Sequence, residues 1–350
     1  MCCSKVQWVR FPKGCIVVCA HPEGPTMSNL LAMLQAPAEF VRPGRASTAD
    51  MIWVPSGTFR MGSDRHYSEE GPAHDATVNG CWIDPYPVTN EQFSRFVDDT
   101  GYVTFAELPP NPADYPGALP EMMYAGSLVF TKPPVRVPLH DSRQWWSFKR
   151  GAQWRHPRGT SSSLEGLHRH PVVHVTYDDA AAYALWAGKE LPTEVEWERA
   201  ARGGLHDAEY AWGDELVPDG RHRANTWQGE FPWHNERADG YDFTSPVDAF
   251  PPNAYGVHDM IGNVWEWTTD WYRPRHSAEP AKACCSHDDG RGSCDARDTA
   301  NIPRKVLKGG SHLCSPNYCQ RYRPAARFPE PIDTSASHVG FRCILRVPEP

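Results

Sequence analysis

Proline and glycine constrain this chain more than any other feature. Its 350 residues include 34 prolines and 27 glycines. Proline lacks an amide donor and clashes inside a helix, and glycine loses the most freedom on ordering. Long regular helices therefore cannot dominate the chain. The chain has to fold as short elements joined by much irregular backbone, an α+β class with few helices. Hydrophobic residues make up 40%, and 14 tryptophans add a large aromatic payload to bury, enough for one large core. No apolar run approaches the ~18–20 residues of a membrane helix, so no membrane span is expected. With 35 Lys+Arg against 43 Asp+Glu, the net charge is −8, which argues against a nucleic-acid partner. The 11 cysteines are odd in number and lack the spacing of a small disulfide framework, so a reducing compartment is expected.

Residues 1–50 differ from the rest. The short apolar segment 14–20 is too small for a convincing signal sequence, and His21-Pro22 follows at once. They read as an N-terminal extension, disordered or reflecting a mis-assigned start. From Met51 the pattern sharpens into one domain over 51–347. Residues 51–55 and 57–62 predict two short strands. Residues 81–88 predict a strand limited by Pro85 and Pro87. Thr89 with Gln92 forms a capping box that opens a helix ending near Gly101. Residues 102–170 read as loop, rich in Pro and carrying Trp145, Trp146 and Trp154; their rings are either ordinary core or a partner-binding wall. Residues 171–175 predict a strand. Thr176/Asp179 and Thr193/Glu196 cap two more helices, stopped near Gly188 and Gly203. Beyond these, short strands and loops are expected.

The segment from Gly309 to Arg323 is the most informative for chemistry. Cys314 and Cys319 lie five apart around a Pro-Asn turn, among Arg304, Lys305, Lys308, Arg321, Arg323 and Arg327, with no acidic residue between 304 and 327. Positive charge favours thiolate. Two adjacent thiolates suit a soft ion such as Cu(I), a reversible disulfide, or simply two buried thiols. Zinc would need two more ligands, and His312 is the one nearby candidate. A second cluster offers hard oxygens: Asn225, Asp239, Asp259 and Glu266 lie among glycines that can turn carbonyls toward one ion. Plain turn chemistry explains that cluster equally well. Cys284, Cys285 and Cys294 flank an acidic loop, and Cys343 reads as a buried strand thiol.

Several segments, in order, resemble one family. They are Pro55–Ser63, Pro87–Phe93, Leu191–Glu198, Asn225–Pro232, Gly262–Thr268, Gly309–Arg323 and Ser337–Cys343. Over about 51–346 the chain resembles the formylglycine-generating enzymes, or sulfatase-modifying factors. Cys284-Cys285 makes it look most like their actinobacterial branch. The resemblance implies a single irregular domain, distantly like C-type lectins. It implies a copper- and O₂-dependent oxidase that uses a thiol reductant. The substrate would be a Cys in a Cys-x-Pro-x-Arg stretch of an unfolded sulfatase, converted to Cα-formylglycine. Cys314 and Cys319 would hold Cu(I), and the substrate thiolate would join as a third soft ligand. Ser311 and Tyr318 would orient oxygen, and Arg321 would keep the field positive. The tryptophans around 145–154 would form the peptide groove.

The resemblance also implies one or two structural Ca²⁺ ions. One set is Asn225, the Thr226 carbonyl, Asp239 and the Tyr241 carbonyl. The other is Asp259, the carbonyls of Gly262 and Val264, and Glu266. Vertebrate members carry two further disulfides, but here Ala184, Ala201 and Pro324 stand at three of those four positions and only Cys343 remains. That departure implies a cytoplasmic location. The rivals are a non-catalytic binding module on the same fold, a sulfoxide-forming iron oxidase of the same superfamily, for whose added helical domain residues 1–50 are too short, and a metal-free thiol–disulfide oxidoreductase using Cys314 and Cys319.

Overall fold

The computed structural model describes residues 47–115, 118–276, 290–295 and 301–346, together with the backbone of 7–11 and 14–18. Cys284 and Cys285, and most of the N-terminal extension, lie outside the described residues. Near the N-terminus, β1 (Gln7–Phe11) and β2 (Gly14–Val18) pair antiparallel.

The central sheet has the order β11 (Arg327–Pro331), β10 (Arg304–Lys308), β9 (Trp265–Trp271), β12 (Val339–Gly340). Only the β9–β12 pair is parallel. A three-stranded sheet joins β13 (Ile344–Leu345), β6 (Cys81–Ile83) and β3 (Ile52–Val54). Two hairpins complete the strands: β4 (Gly57–Met61) with β5 (His74–Val78), and β7 (Gly126–Phe130) with β8 (Trp146–Arg150).

Three short α-helices sit where the capping boxes place them: α1 (Asn90–Thr100), α2 (Tyr177–Trp186) and α3 (Glu194–Arg202). In each, the threonine hydroxyl accepts from the backbone N–H three residues on, and that residue's side chain accepts from the threonine N–H. Gly101 and Gly203 end α1 and α3 in the left-handed conformation, which glycine adopts without a Cβ penalty.

The main core gathers Phe93, Phe96, Tyr183, Trp154, Trp267, Leu307, Phe341 and Cys343, and reaches Cys314. Trp197, Ala200 and Ala201 of α3 pack in a second cluster with Val54 and Ile83. Ala184 and Ala201 are both buried, so each small side chain fills a tight position.

Three expectations about local structure are corrected. Residues 171–175 do not form a strand. Pro171 makes one isolated bridge to Thr89, and His174 then takes φ +63°, which breaks any extended run. Within the stretch read as loop, β7 and β8 form a five-residue hairpin. Its long connection, residues 131–145, hid the turn signal that marks short hairpins. The strand predicted at 81–88 ends at Ile83, two residues before Pro85.

Candidate active site

Strand β10 ends at Lys308, and Gly309 and Gly310 follow with φ of +91° and +72°. A Cβ at Gly310 would sit 2.7 Å from the Arg321 carbonyl, so the close return of the loop requires glycine there. The loop then closes on itself. The Ser315 carbonyl accepts from the N–H groups of Tyr318 and Cys319 at 3.1 and 2.8 Å, and the Cys314 carbonyl accepts from Trp227 N–H at 2.9 Å. Cys314 and Cys319 are thereby brought together with their Sγ atoms 3.4 Å apart. Both thiols are free; a disulfide would need about 2.05 Å.

The two sulfurs differ in surroundings. Cys314 is buried, and burial pushes its thiol well above the usual range. Its partner Cys319 accepts a hydrogen bond from it and faces the Arg321 guanidinium, with Arg321 Nη1 at 3.9 Å. The bond from Cys314, then the Arg321 charge, pull Cys319 down to about 6 against the cost of burial. At neutral pH the pair therefore shares one proton, thiol at Cys314 and thiolate at Cys319. Ser311 N–H also donates toward Cys314 Sγ at 3.4 Å.

Arg321 is held in place from outside the loop. Its Nη2 donates to Glu69 Oε1 at 2.6 Å, and its guanidinium lies 3.8 Å from the Tyr67 ring centroid. Next to it, Arg323 grips buried Glu70 through two bonds of 2.7 and 2.5 Å. Such bidentate pairs fix orientation as well as charge. Nothing in the sequence pairs Glu69 and Glu70 with residues some 250 positions away, so this support is visible only in the fold.

The sulfur pair opens onto a cavity of about 610 Å³. Ser311, Cys314, Tyr318, Cys319 and Arg321 all line it, so the five residues singled out from sequence stand together. Tyr318 is 42% exposed and stacks on Phe231 at 4.5 Å between centroids, with the edge of Trp145 behind it. The tryptophans divide. Trp146 lines the cavity, Trp145 is buried beneath Tyr318, and Trp154 belongs to the main core. Sequence reading missed Glu330 and His338 on the cavity wall. Burial holds the His338 imidazole neutral, pushed down to about 3. His312 is not part of the wall; its Nδ1 lies 2.9 Å from the Asn263 carbonyl. Among the described residues, no three His, Cys, Asp or Glu side chains converge as a zinc site would need.

The two oxygen-rich sets behave differently. In the first, Asp239 Oδ2, the Thr226 carbonyl and Thr226 Oγ1 all converge on Gln228 Nε2, a neutral donor standing among oxygens. Asp239 Oδ1 accepts from Tyr241 N–H at 3.0 Å, and Asn225 Nδ2 donates to the Phe243 carbonyl at 2.8 Å, so one loop carries the whole set. In the second, both Glu266 oxygens are engaged by Arg342 at 2.7 Å, and Trp197 Nε1 adds a third bond. That carboxylate is already neutralised and does not fit a cation site. Asp259 Oδ1 is buried without a partner. Burial pushes the Asp259 carboxyl up to about 7.

The thiolate at Cys319 has a direct test. Alkylation of Cys319 by iodoacetamide should titrate with a midpoint near pH 6, far below the ~8.5 of a free thiol. Cys314 should resist. Removing the guanidinium with Arg321→Met takes away charge that favours thiolate, so the midpoint should rise. A midpoint near that of a free thiol in the unaltered protein, or faster reaction at Cys314, would contradict the shared-proton pair.

Comparison with known proteins identifies the family. Residues 37–347 match the family model described as sulfatase-modifying factor enzyme 1-like domain. The formylglycine-generating enzyme of Mycobacterium tuberculosis is 51% identical over 296 residues, covering 84% of this chain and 97% of that protein. The formylglycine-generating enzyme of Thermomonospora curvata is 45% identical over 302 residues, covering 84% of this chain and 92% of that protein. The structure of PvdO from Pseudomonas aeruginosa aligns with a TM-score of 0.54 at 24% identity, over 85% of this chain and 94% of that one, and speaks for the fold alone. By its motifs, its fold and these similarities, the chain is a member of the formylglycine-generating enzyme family, allied to its actinobacterial branch.

Proposed function

We propose that this protein oxidises the side chain of a cysteine in a sulfatase polypeptide, within a Cys-x-Pro-x-Arg stretch, to the aldehyde of Cα-formylglycine. The observation that carries this reading is the unbonded pair Cys314 and Cys319, 3.4 Å apart at the wall of a peptide-sized cavity. The relatives named above supply the reaction class. Overall, the substrate CH₂–SH loses two hydrogens to give a thioaldehyde, and water replaces sulfur, which leaves as hydrogen sulfide. O₂ accepts four electrons, two from the substrate and two from a thiol reductant, and ends as water.

The residues fit Cu(I) as cofactor. A soft ion prefers thiolate sulfur, and one sulfur is already held ionised while the other needs only to lose its proton. When bound, the ion supplies an open coordination position and one-electron chemistry toward O₂. The chain's own residues do the rest. Arg321 keeps negative charge favourable at Cys319, and Glu69 and Tyr67 keep Arg321 there. Ser311 offers a hydroxyl, and Tyr318 a phenol, at the cavity wall. Phe231, Trp146 and Phe328 give the substrate backbone an apolar bed that excludes water. We also propose one structural Ca²⁺ at Asn225, Thr226, Asp239 and Tyr241, where the Thr226 and Asp239 oxygens converge on Gln228 Nε2, and a cytoplasmic location. The free thiols at Cys81, Cys294, Cys314, Cys319 and Cys343 support a reducing compartment.

The decisive assay is mass spectrometry of a Cys-x-Pro-x-Arg peptide incubated in air with Cu(I)-loaded protein and reductant. Loss of the thiol and gain of an aldehyde, both absent with Cys314→Ser, is the expected result. An unchanged peptide supports the binding-module alternative, and a mixed disulfide supports the metal-free oxidoreductase. For calcium, saturating Ca²⁺ at ~100 times its Kd should stabilise the fold by about 2.7 kcal/mol relative to chelator. The melting temperature should rise in the unaltered protein and stay fixed in Asp239→Asn. Equal melting with Ca²⁺ and with chelator would remove the ion from the account.

A further inference from the structure

A row of aromatic rings leaves the sulfur pair by a route outside the cavity wall. Cys314 and Tyr322 are both buried in the main core, and Cys319 and Tyr210 pack against the same cluster. The Tyr322 ring stacks on Tyr210, with centroids 6.2 Å apart and planes at 11°. Tyr210 in turn stacks on Trp212, at 5.8 Å and 17°. Exposure rises along the row: Tyr322 is buried, whereas Tyr210 and Trp212 are half-buried. Burial, then the neighbouring Tyr210, Cys314 and Cys319, push the Tyr322 phenol up against the pull of Arg323. Burial and Glu209 push the Tyr210 phenol up as well. Both phenols therefore keep their hydrogens at neutral pH. The other ring at the pair leads to no such row. Tyr318 stacks on Phe231, which has no hydroxyl hydrogen to give, and Trp145 behind it is buried.

We propose that Tyr322 and Tyr210 form a hydrogen-atom relay that carries stray oxidising equivalents from the sulfur pair to the surface, sparing the two cysteines when oxygen is reduced without substrate. The assignment rests on the copper-dependent oxidase function proposed above. Hydrogen peroxide, the oxidant left by incomplete reduction of O₂, takes two electrons and two protons to become two waters. With no substrate cysteine present, one electron comes from Cu(I) and one from the Cys319 thiolate, which becomes a thiyl radical. Tyr322 gives that sulfur its phenolic hydrogen, electron and proton together, and the restored thiol returns the proton to water. Tyr210 then gives its hydrogen to the Tyr322 oxygen. A thiol reductant repairs half-buried Tyr210 by giving it a hydrogen atom, and two reductant radicals join as a disulfide. Without the relay the oxidised sulfur continues to sulfinic and sulfonic acids, which are irreversible.

The test exposes the whole Cu(I)-loaded protein to hydrogen peroxide with a nitroso spin trap, without peptide substrate or reductant. Peptide mass spectrometry then locates the trap adducts and the oxidised sulfurs. The unaltered protein should carry an adduct on Tyr210. Tyr322→Phe should lose that adduct, although Tyr210 itself is intact, and should accumulate more sulfinic and sulfonic acid at Cys314 and Cys319. Tyr210→Phe should show the same rise in sulfur damage. Both variants keep the stacked ring, and their melting temperatures and copper content check fold and loading. An adduct on Tyr210 that survives Tyr322→Phe would mean damage by a diffusing oxidant and would overturn the relay. Sulfur oxidation unchanged in both variants, or no adduct on Tyr210 in the unaltered protein, would overturn it as well. Turnover of a cysteine peptide by the same preparations separates the two readings. Aldehyde formation without a radical at Tyr210 sinks the relay alone. A relayed radical at Tyr210 without aldehyde formation sinks the oxidase reading alone.

Discussion

Buried arginine and lysine pairs with carboxylates hold this fold together. Much of the chain is irregular, so its interior is tied by side chains as well as by backbone ladders. Arg342 is fully buried against Glu266, Arg323 against Glu70, Arg327 against Glu194, and Lys308 against Glu198 at 2.9 Å. Each pair joins segments distant in sequence. Buried charges are costly alone and tolerable only when paired and hydrogen-bonded, so each pair fixes one arrangement of loops more than it adds net stability. Arg202 extends the Lys308–Glu198 pair to the Gly62 carbonyl, tying α3 and the end of β10 to the β4–β5 hairpin.

That framework also sets the chemistry of the sulfur pair. Adjacent Glu69 and Glu70 each take one arginine of the loop, Arg321 and Arg323. The clamp that positions the loop is therefore the same one that presents a guanidinium to Cys319. Burial of Cys314 and charge beside Cys319 then push two identical thiols in opposite directions. This asymmetry readies one sulfur for a soft ion or an electrophile while the other holds the proton.

Much of this was legible in the sequence because it is local. The three capping boxes predicted three helices within a residue or two, since their chemistry spans only four positions. Cys314, Cys319, Ser311, Tyr318 and Arg321 lie within 11 residues of each other, and all five line one cavity. What stayed hidden is long-range. The Glu69–Arg321 clamp links ends of the chain. The β7–β8 hairpin lacks a tight turn, and His174 breaks a run that reads as a strand. The commitment of Glu266 to Arg342 was equally invisible, and it separates the two oxygen-rich sets that looked alike.

The central claim is that Cys314 and Cys319 form one soft-metal site. X-ray absorption at the copper edge, on protein loaded with Cu(I) under reductant and cleared of excess metal, addresses it directly. The account predicts one Cu(I) per chain with two sulfur ligands, and loss of tight binding when either cysteine becomes serine. Copper surrounded mainly by nitrogen or oxygen, or retained unchanged in Cys319→Ser, would contradict it.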